Sequence, residues 1–379
     1  MLYYDEVIPE LLARLDPGTP YWPGSPFGGP KNNHNSMMQG DIHDWTVWHG
    51  LPTIPDDGPV GDYDRSPAGV AYTRYAEDMG RFISEYGIQA APVMAAFRRA
   101  LPEDQQMLGS PGFLNRLKDR PTDKVNAMLV SVTGLPATLD EYVDFTQINQ
   151  AEGLKFGIEH FRRRKPHCSG SLIWQFNDCW PGISWSIVDY YGFPKAAYYH
   201  VRRAYAPLMA SFKSTADGVE LWIVNDALAP ASGELHLACE AFAGGLAWSE
   251  SLAYLAGPNS SRCVWRSGDM RAYGPGHVLS VRAADGQFPA NKHFFVPLKD
   301  LIRPVPRAPL VTMSHVHPRE IRIELTAPDY LYFVHILTDD EHLSCSDNYF
   351  DLRAGETRAI TVSHPARALD PATLAVRWR

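Results

Sequence analysis

The sequence predicts an α/β region followed by an all-β region, with half of a TIM (β/α)8 barrel preceding two small β-sandwiches. Three observations lead there. Up to Ala206, four strand candidates alternate with helical segments, and each strand finishes in polar or aromatic side chains. That is the pattern of a parallel sheet whose site lies at the C-terminal strand ends. Past Tyr205-Ala206-Pro207-Leu208, short stretches of period two separated by turns take over, as in sandwiches. A third cue is Arg303 to Pro309, a proline-containing stretch that reads as a stiff linker dividing the second region. A chain of 379 residues is too long for one core. The expected domains are therefore 1–206, 207–303 and 304–379.

Taken in order, Tyr3 to Leu15 places Val7, Ile8, Leu11, Leu12 and Leu15 at helical spacing, and Asp16-Pro17-Gly18 ends the pattern. An α/β domain more commonly begins on a strand, so this opening implies sequence upstream. Pro20 to Pro26 reads as a short aromatic strand and Phe27 to Gln39 as a loop. Gly40 to Gly50 has a strand-like entry and gathers Asp41, His43, Asp44, Trp45, Trp48 and His49. Their spacing fits no standard metal-ligand pattern; groups that hydrogen-bond and stack on a sugar suit the mixture better. Pro67 to Gly80 reads as a helix, with Ser66 as its cap and Pro67 in its first position.

In Phe82-Ile83-Ser84-Glu85-Tyr86-Gly87 an apolar run ends in a carboxylate. The glycine lets the backbone turn away, so Glu85 is expected at the end of a buried strand, where barrel enzymes keep catalytic groups. The plainer reading is a glutamate paired with an arginine or capping a helix. Val93 to Phe97 is helix-like, and Leu139 to Arg164 is a long amphipathic helical region. Arg162-Arg163-Arg164-Lys165 at its end reads as a solvated basic terminus offsetting the helix dipole. Gly170 to Pro181 reads as another buried strand, ending in Trp174, Asn177 and Asp178.

The 45% hydrophobic content, with 10 Trp, 18 Tyr and 16 Phe, is ample for packed cores and suits sugar-binding clefts. A net charge of −8 argues against nucleic acid or an anionic membrane as partner. The five cysteines, Cys168, Cys179, Cys239, Cys263 and Cys345, form neither a disulfide framework nor a CxxC metal site and are expected as buried free thiols. No apolar run approaches a membrane span, the start lacks the features of a signal peptide, and nothing in the sequence assigns a compartment.

Five blocks together resemble the C-terminal part of a β-mannosidase of glycoside hydrolase family 2: Tyr21 to Pro26, Gly40 to Gly50, Ser84 to Gly87, Trp174 to Pro181, and Cys345 to Leu352 with Gly355-Glu356. The resemblance implies the second half of the catalytic barrel followed by two immunoglobulin-like sandwiches, and a retaining exo-β-mannosidase acting on terminal non-reducing β-mannose. It implies Glu85 as nucleophile, with Asp41, His43, Trp45, Trp48, Tyr86, Trp174, Asn177 and Asp178 around the sugar, and neither metal nor cofactor. Tyr86 has a structural role as its plainer reading, Asp41, His43, Trp45 and Trp48 have loop packing as theirs, and Trp174 that of a buried ring packing the barrel mouth. The family's acid/base is the Glu of an Asn-Glu pair at the end of the fourth barrel strand, and no Asn-Glu dipeptide occurs in this sequence. The isolated chain is therefore expected to be nearly inactive, with a manno-oligosaccharide or β-mannoside as substrate and a complementary N-terminal chain or self-association covering its open sheet edges. The alternative is a non-catalytic carbohydrate-binding or interaction module derived from such an enzyme.

Overall fold

The computed structural model describes residues 2–29, 32–52, 63–119, 123–268, 270 and 273–379. The α/β part is built on short parallel strands. Ile42–His43 runs parallel to Ile83–Glu85, with Ile42 opposite Ile83 and His43 opposite Glu85. Ser171 extends this array through a parallel bridge to Ile83. The helix Leu139–Arg163 covers it. That helix begins where Thr138 Oγ1 accepts the Glu141 amide at 3.1 Å, while the Glu141 carboxylate accepts the Ala137 amide at 2.7 Å. The helix lies so close to the segment that follows Ile83–Glu85 that a Cβ on Gly153 would stand 2.3 Å from Ile88 Cδ1. Ile83, Tyr86 and Ile88 are fully buried in the resulting core.

Several local expectations fail for identifiable reasons. Pro20 to Pro26 forms no strand: its prolines cannot donate to a ladder, and Trp22 is exposed, its indole bonding Asp41 instead. Pro67 to Gly80 is helical only as the 3-10 turn Tyr72–Glu77; Ser66 Oγ does accept the Gly69 amide at 3.2 Å, but Arg74 then ties the Gly69 and Thr46 carbonyls. Gly170 to Pro181 is not a buried strand. After Ser171 the segment is irregular, with Leu172, Trp174 and Phe176 exposed and Cys179 an exposed thiol. The first helix exists as a π-helical turn Tyr3–Val7 running into the α-helix Ile8–Leu15, yet none of its residues is buried.

Two antiparallel sandwiches follow. In the first, the sheet ordered Leu208–Thr215, Gly218–Asn225, Ser260–Arg266 faces one ordered Asn291–Phe294, His277–Ala283, Ala231–Ala241, Leu246–Ala256. Leu221, Ile223, Leu235, Leu237 and Leu279 fill the space between them. The second pairs Leu310–His317, Glu320–Thr326, Thr357–Ser363, Ser344–Cys345 with Phe350–Leu352, Leu331–Leu337, Ala375–Arg377 around Ile321, Ile323, Leu331 and Val362. The register Ile321↔Val362, Ile323↔Ile360 puts apolar side chains on one face, as period-two sequence requires.

The basic run at the end of the long helix is not a solvated terminus. Arg162 and Arg163 are buried where the helix meets the first sandwich. Arg162 donates to the Ala204 and Ala206 carbonyls and to Asp226, while Arg163 donates to Ser211 and the Phe212 carbonyl and faces Glu159 at 3.8 Å. Glu159 in turn accepts from Ser211 at 2.7 Å and from Asn291 at 2.8 Å. Burial lowers the Arg163 guanidinium to about 10, opposed by Glu159. The second sandwich is tied to the same helix by Arg377 on Asp140 and Arg379 on Asp144.

Candidate active site

Glu85 stands at the C-terminal end of its strand with its side chain about one quarter exposed (27%). The Asp44 amide bonds its carbonyl at 2.8 Å, which locks the strand end to the neighbouring strand. One carboxylate oxygen, Oε2, receives the Trp45 indole N–H at 3.2 Å and faces His43 Nδ1 at 3.4 Å. The other, Oε1, has no protein donor among the described residues. Gly87, two positions on, does not serve a turn: a Cβ there would meet the Trp174 carbonyl at 2.1 Å. Its role is close approach, because the Trp174 amide bonds the Tyr86 carbonyl at 2.8 Å and so brings the Trp174 segment to the Glu85 end.

Behind His43 lies a second row. His43 Nε2 is 3.0 Å from Ser25 Oγ, and Ser25 Oγ is 2.6 Å from Asp41 Oδ2. Asp41 also accepts from Ser84 Oγ at 2.5 Å, Trp22 Nε1 at 2.9 Å and the Phe27 amide at 3.0 Å. Burial pushes the Asp41 carboxyl upward, but the bonds from Ser25, Ser84, Trp22 and Phe27 outweigh it and hold Asp41 below its ordinary value. Asn35 fixes the His43 backbone from both sides, donating to its carbonyl at 3.0 Å and accepting its amide at 2.7 Å. The imidazole is thus held between Ser25 and the Glu85 carboxylate.

The other predicted positions separate. Trp48 is buried rather than at a pocket surface, donating to Asp119 at 2.7 Å and packing edge-on against Trp185. Trp185 also supports Trp45, at 5.9 Å between ring centroids. Tyr86 is buried and packs on Tyr75 and Phe161 beneath the long helix, so it presents no ring to a ligand. Asp178 has its side chain enclosed and takes Lys118 at 2.7 Å; burial raises its carboxyl, and the Lys118 and Ser184 bonds more than offset that. Trp174 and Asn177 are exposed at this end of the molecule. Ser25, Asn35, Ser84 and Trp185 were not singled out by sequence reasoning. Ser25 and Ser84 lay inside quoted blocks; Trp185 carried no local signal. Among the described residues no three His, Cys, Asp or Glu side chains come together as a metal-holding group.

Beneath the site two buried carboxylates face one another. Asp44 and Asp78 each keep a buried Oδ2 without a partner when both are ionised, and one proton shared between them satisfies both. Burial, then the Asp78 charge, pushes Asp44 up to about 7; Asp78 is raised as well, chiefly by burial. A carboxyl raised in the fold stabilises below its ordinary value, and that contribution is lost as pH climbs through about 7. Asp44→Asn keeps the acceptor for Thr46 and supplies a permanent N–H toward Asp78. Denaturant titrations should therefore show that stability falls less from pH 5 to pH 8 in the variant than in the wild type, by on the order of 2 kcal/mol.

Residues 217–300 match the family described as Mannosidase Ig/CBM-like domain, and residues 305–377 a mannosidase Ig-fold domain. Beta-mannosidase B of Emericella nidulans is 27% identical over 97% of this chain and 44% of its own length. That of Aspergillus niger is 32% identical over 62% of this chain and 28% of its own length. The crystal structure of the β-D-mannosidase from Dictyoglomus thermophilum superposes with a TM-score of 0.87 at 28% identity, covering 100% of this chain and 44% of that one. The chain is thus similar to the C-terminal portion of β-mannosidases of glycoside hydrolase family 2. It spans less than half the length of each of these relatives. An exo-chitosanase from Amycolatopsis orientalis shares the fold, with a TM-score of 0.64 at 15% identity. The two sandwiches are accordingly immunoglobulin-like domains of the mannosidase type, and the resemblance of the chain is to glycoside hydrolases.

Proposed function

We infer that the chain carries the nucleophilic half of a retaining exo-β-mannosidase that removes terminal non-reducing β-D-mannose. The observation that carries this reading is the setting of Glu85, whose Oε2 accepts the Trp45 indole N–H and faces His43 Nδ1 at 3.4 Å while Oε1 has no protein donor among the described residues. A carboxylate oriented through one oxygen presents the other to an anomeric carbon. Attack there forms a glycosyl ester as the aglycone oxygen departs with a proton, and water then cleaves the ester with retention. The proton comes from a second carboxylate about 5 Å away, which this reading assigns to a residue outside the 379-residue sequence, since no Asn-Glu pair occurs in it.

In the same reading residues 1–206 are the second half of a (β/α)8 barrel, 207–303 and 304–379 are the two sandwich domains, and Asp41, His43, Trp45, Trp174 and Asn177 surround the sugar. Asp41 and His43 act through the Ser25 bridge, and Trp45 both orients Glu85 and offers a ring. Trp48, Tyr86 and Asp178 support the wall from within. The remaining barrel strands are the proposed partner for the exposed faces, which include Tyr3, Tyr4, Leu11 and Leu15 on the first helix and Leu172 and Phe176 on the opposite segment.

Turnover of aryl β-mannoside, β-glucoside and β-galactoside tests this reading, with the chain alone and with the preceding barrel half of a family member supplied. The expected result is activity on the mannoside only, rising about 10²-fold or more when the second carboxylate is supplied. Equal rates on all three sugars, or no gain on complementation by a half that binds, would overturn the mannosidase reading.

A further inference from the structure

A cavity of about 950 Å³ lies away from Glu85, between the long helix, the helix Ala196–Ala204, the outer face of the four-stranded sheet and the second sandwich. None of the residues around Glu85 lines it. Its floor is a patch of small side chains, among them Ala238, Ser249 and Ser280, which the sheet register sets side by side. Its wall is unusual in charge.

Three guanidiniums converge on the single carboxylate of Asp347. Arg203 donates at 2.6 Å and Arg202 at 3.1 Å to Oδ1, and Arg358 donates to Oδ2. The next acid along the wall, Asp351, is already occupied by Lys292, by the Tyr330 hydroxyl at 2.6 Å and by the Phe333 amide at 3.1 Å. Asp347 therefore neutralises one of three charges. Across the whole lining, seven Lys and Arg face six Asp and Glu, a local positive excess in a chain whose net charge is −8. Burial pushes Arg203 below its ordinary value, Asp347 opposes this, and Arg358 and Arg202 add to the depression.

The outer two guanidiniums are fixed in place as well as unneutralised. Arg358 lies over the Phe350 ring at 4.2 Å and Arg202 over the Tyr199 ring at 5.3 Å, and a stacked guanidinium keeps its fork pre-oriented. The Nε and Nη1 groups of both have no protein acceptor among the described residues, and both side chains remain partly exposed, 43% for Arg202 and 32% for Arg358. We propose that this cleft binds a small molecule bearing an oxyanion, a phosphate or a carboxylate, which bridges Arg202 and Arg358. Planar donors at fixed spacing select such an anion over halide through paired charge-assisted bonds.

Calorimetric titration of the whole chain at low ionic strength with inorganic phosphate, and separately with glucuronate, tests this. Saturable one-to-one binding of phosphate alone would assign a phosphate group, and binding of glucuronate a carboxylate. In either case Arg358→Gln should weaken binding about tenfold or more, while the charge-matched Arg322→Gln, on an exposed strand position, should leave it unchanged. Arg202→Gln repeats the test should Arg358→Gln lose its fold. No saturable binding of either anion, or equal weakening by Arg322→Gln, would overturn the proposal.

Discussion

Replacing Glu85 by Gln in the enzyme assembled with the rest of its barrel is expected to lower turnover of a β-mannoside by a factor on the order of 10⁵. The amide preserves shape and can still accept the Trp45 N–H that holds Oε2 in the wild type, so the loss measures nucleophilicity rather than folding. A companion variant sharpens the assignment. Glu85→Ala leaves space beside the anomeric carbon, and azide supplied in solution should attack there as an activated aglycone leaves, giving α-mannosyl azide. Retained turnover in Glu85→Gln would place the nucleophile elsewhere; product analysis by NMR identifies the azide adduct.

Arg163→Ala is expected to cost about 3–5 kcal/mol of stability, because it removes one of the two cations beside the buried Glu159 and leaves the acceptors at Ser211 and Phe212 without their donor. Both side chains are nearly enclosed, 7% exposed for Arg163 and 6% for Glu159, and the pair sits where helix and first sandwich meet, with Ser211 and Asn291 completing the network. Lys155, 2.9 Å from the same carboxylate, shares its charge and sets the lower end of that range. Denaturant unfolding should show the difference directly. Arg322→Ala, which breaks an exposed pair with Glu324, should change stability by no more than about 0.5 kcal/mol.

These two sites also mark where sequence reading succeeds and where it stops. The Ile83–Glu85 strand, the helix Leu139–Arg163 and strands such as Gly218–Asn225 and Glu320–Thr326 were legible because their apolar periodicity is local. The strands Leu246–Ala256 and Ser260–Arg266 were not, since both lie at sheet edges with mixed, half-exposed patterns. Arg162 and Arg163 look solvated in sequence because their partners, Asp226, Ser211 and the carbonyls at Ala204 and Ala206, come from after the helix and from the next domain. At the site, Glu85, His43 and Trp45 were identifiable as residue types in a pattern. The bridge from Asp41 through Ser25 was not, because it joins segments 16 and 18 residues apart across an irregular loop. Trp48 was grouped with Trp45 as a residue type that stacks on a sugar, whereas Tyr86 had packing as its plainer role. Glu85 and Tyr86 are adjacent on an extended segment and point to opposite faces, while the Trp48 indole turns inward to Asp119 and Trp185.

The most direct test of the central claim is incubation of the wild-type chain with 2-deoxy-2-fluoro-mannosyl fluoride, followed by peptide mass spectrometry. Fluoride leaves without general-acid help, and the 2-fluoro group slows hydrolysis of the ester, so the intermediate accumulates even where the second carboxylate is absent. A single fluoromannosyl adduct on Glu85 is the predicted result, lost in Glu85→Gln. An adduct on another residue, or none on a chain shown to be folded, would contradict the assignment of Glu85 as a mannose-directed nucleophile.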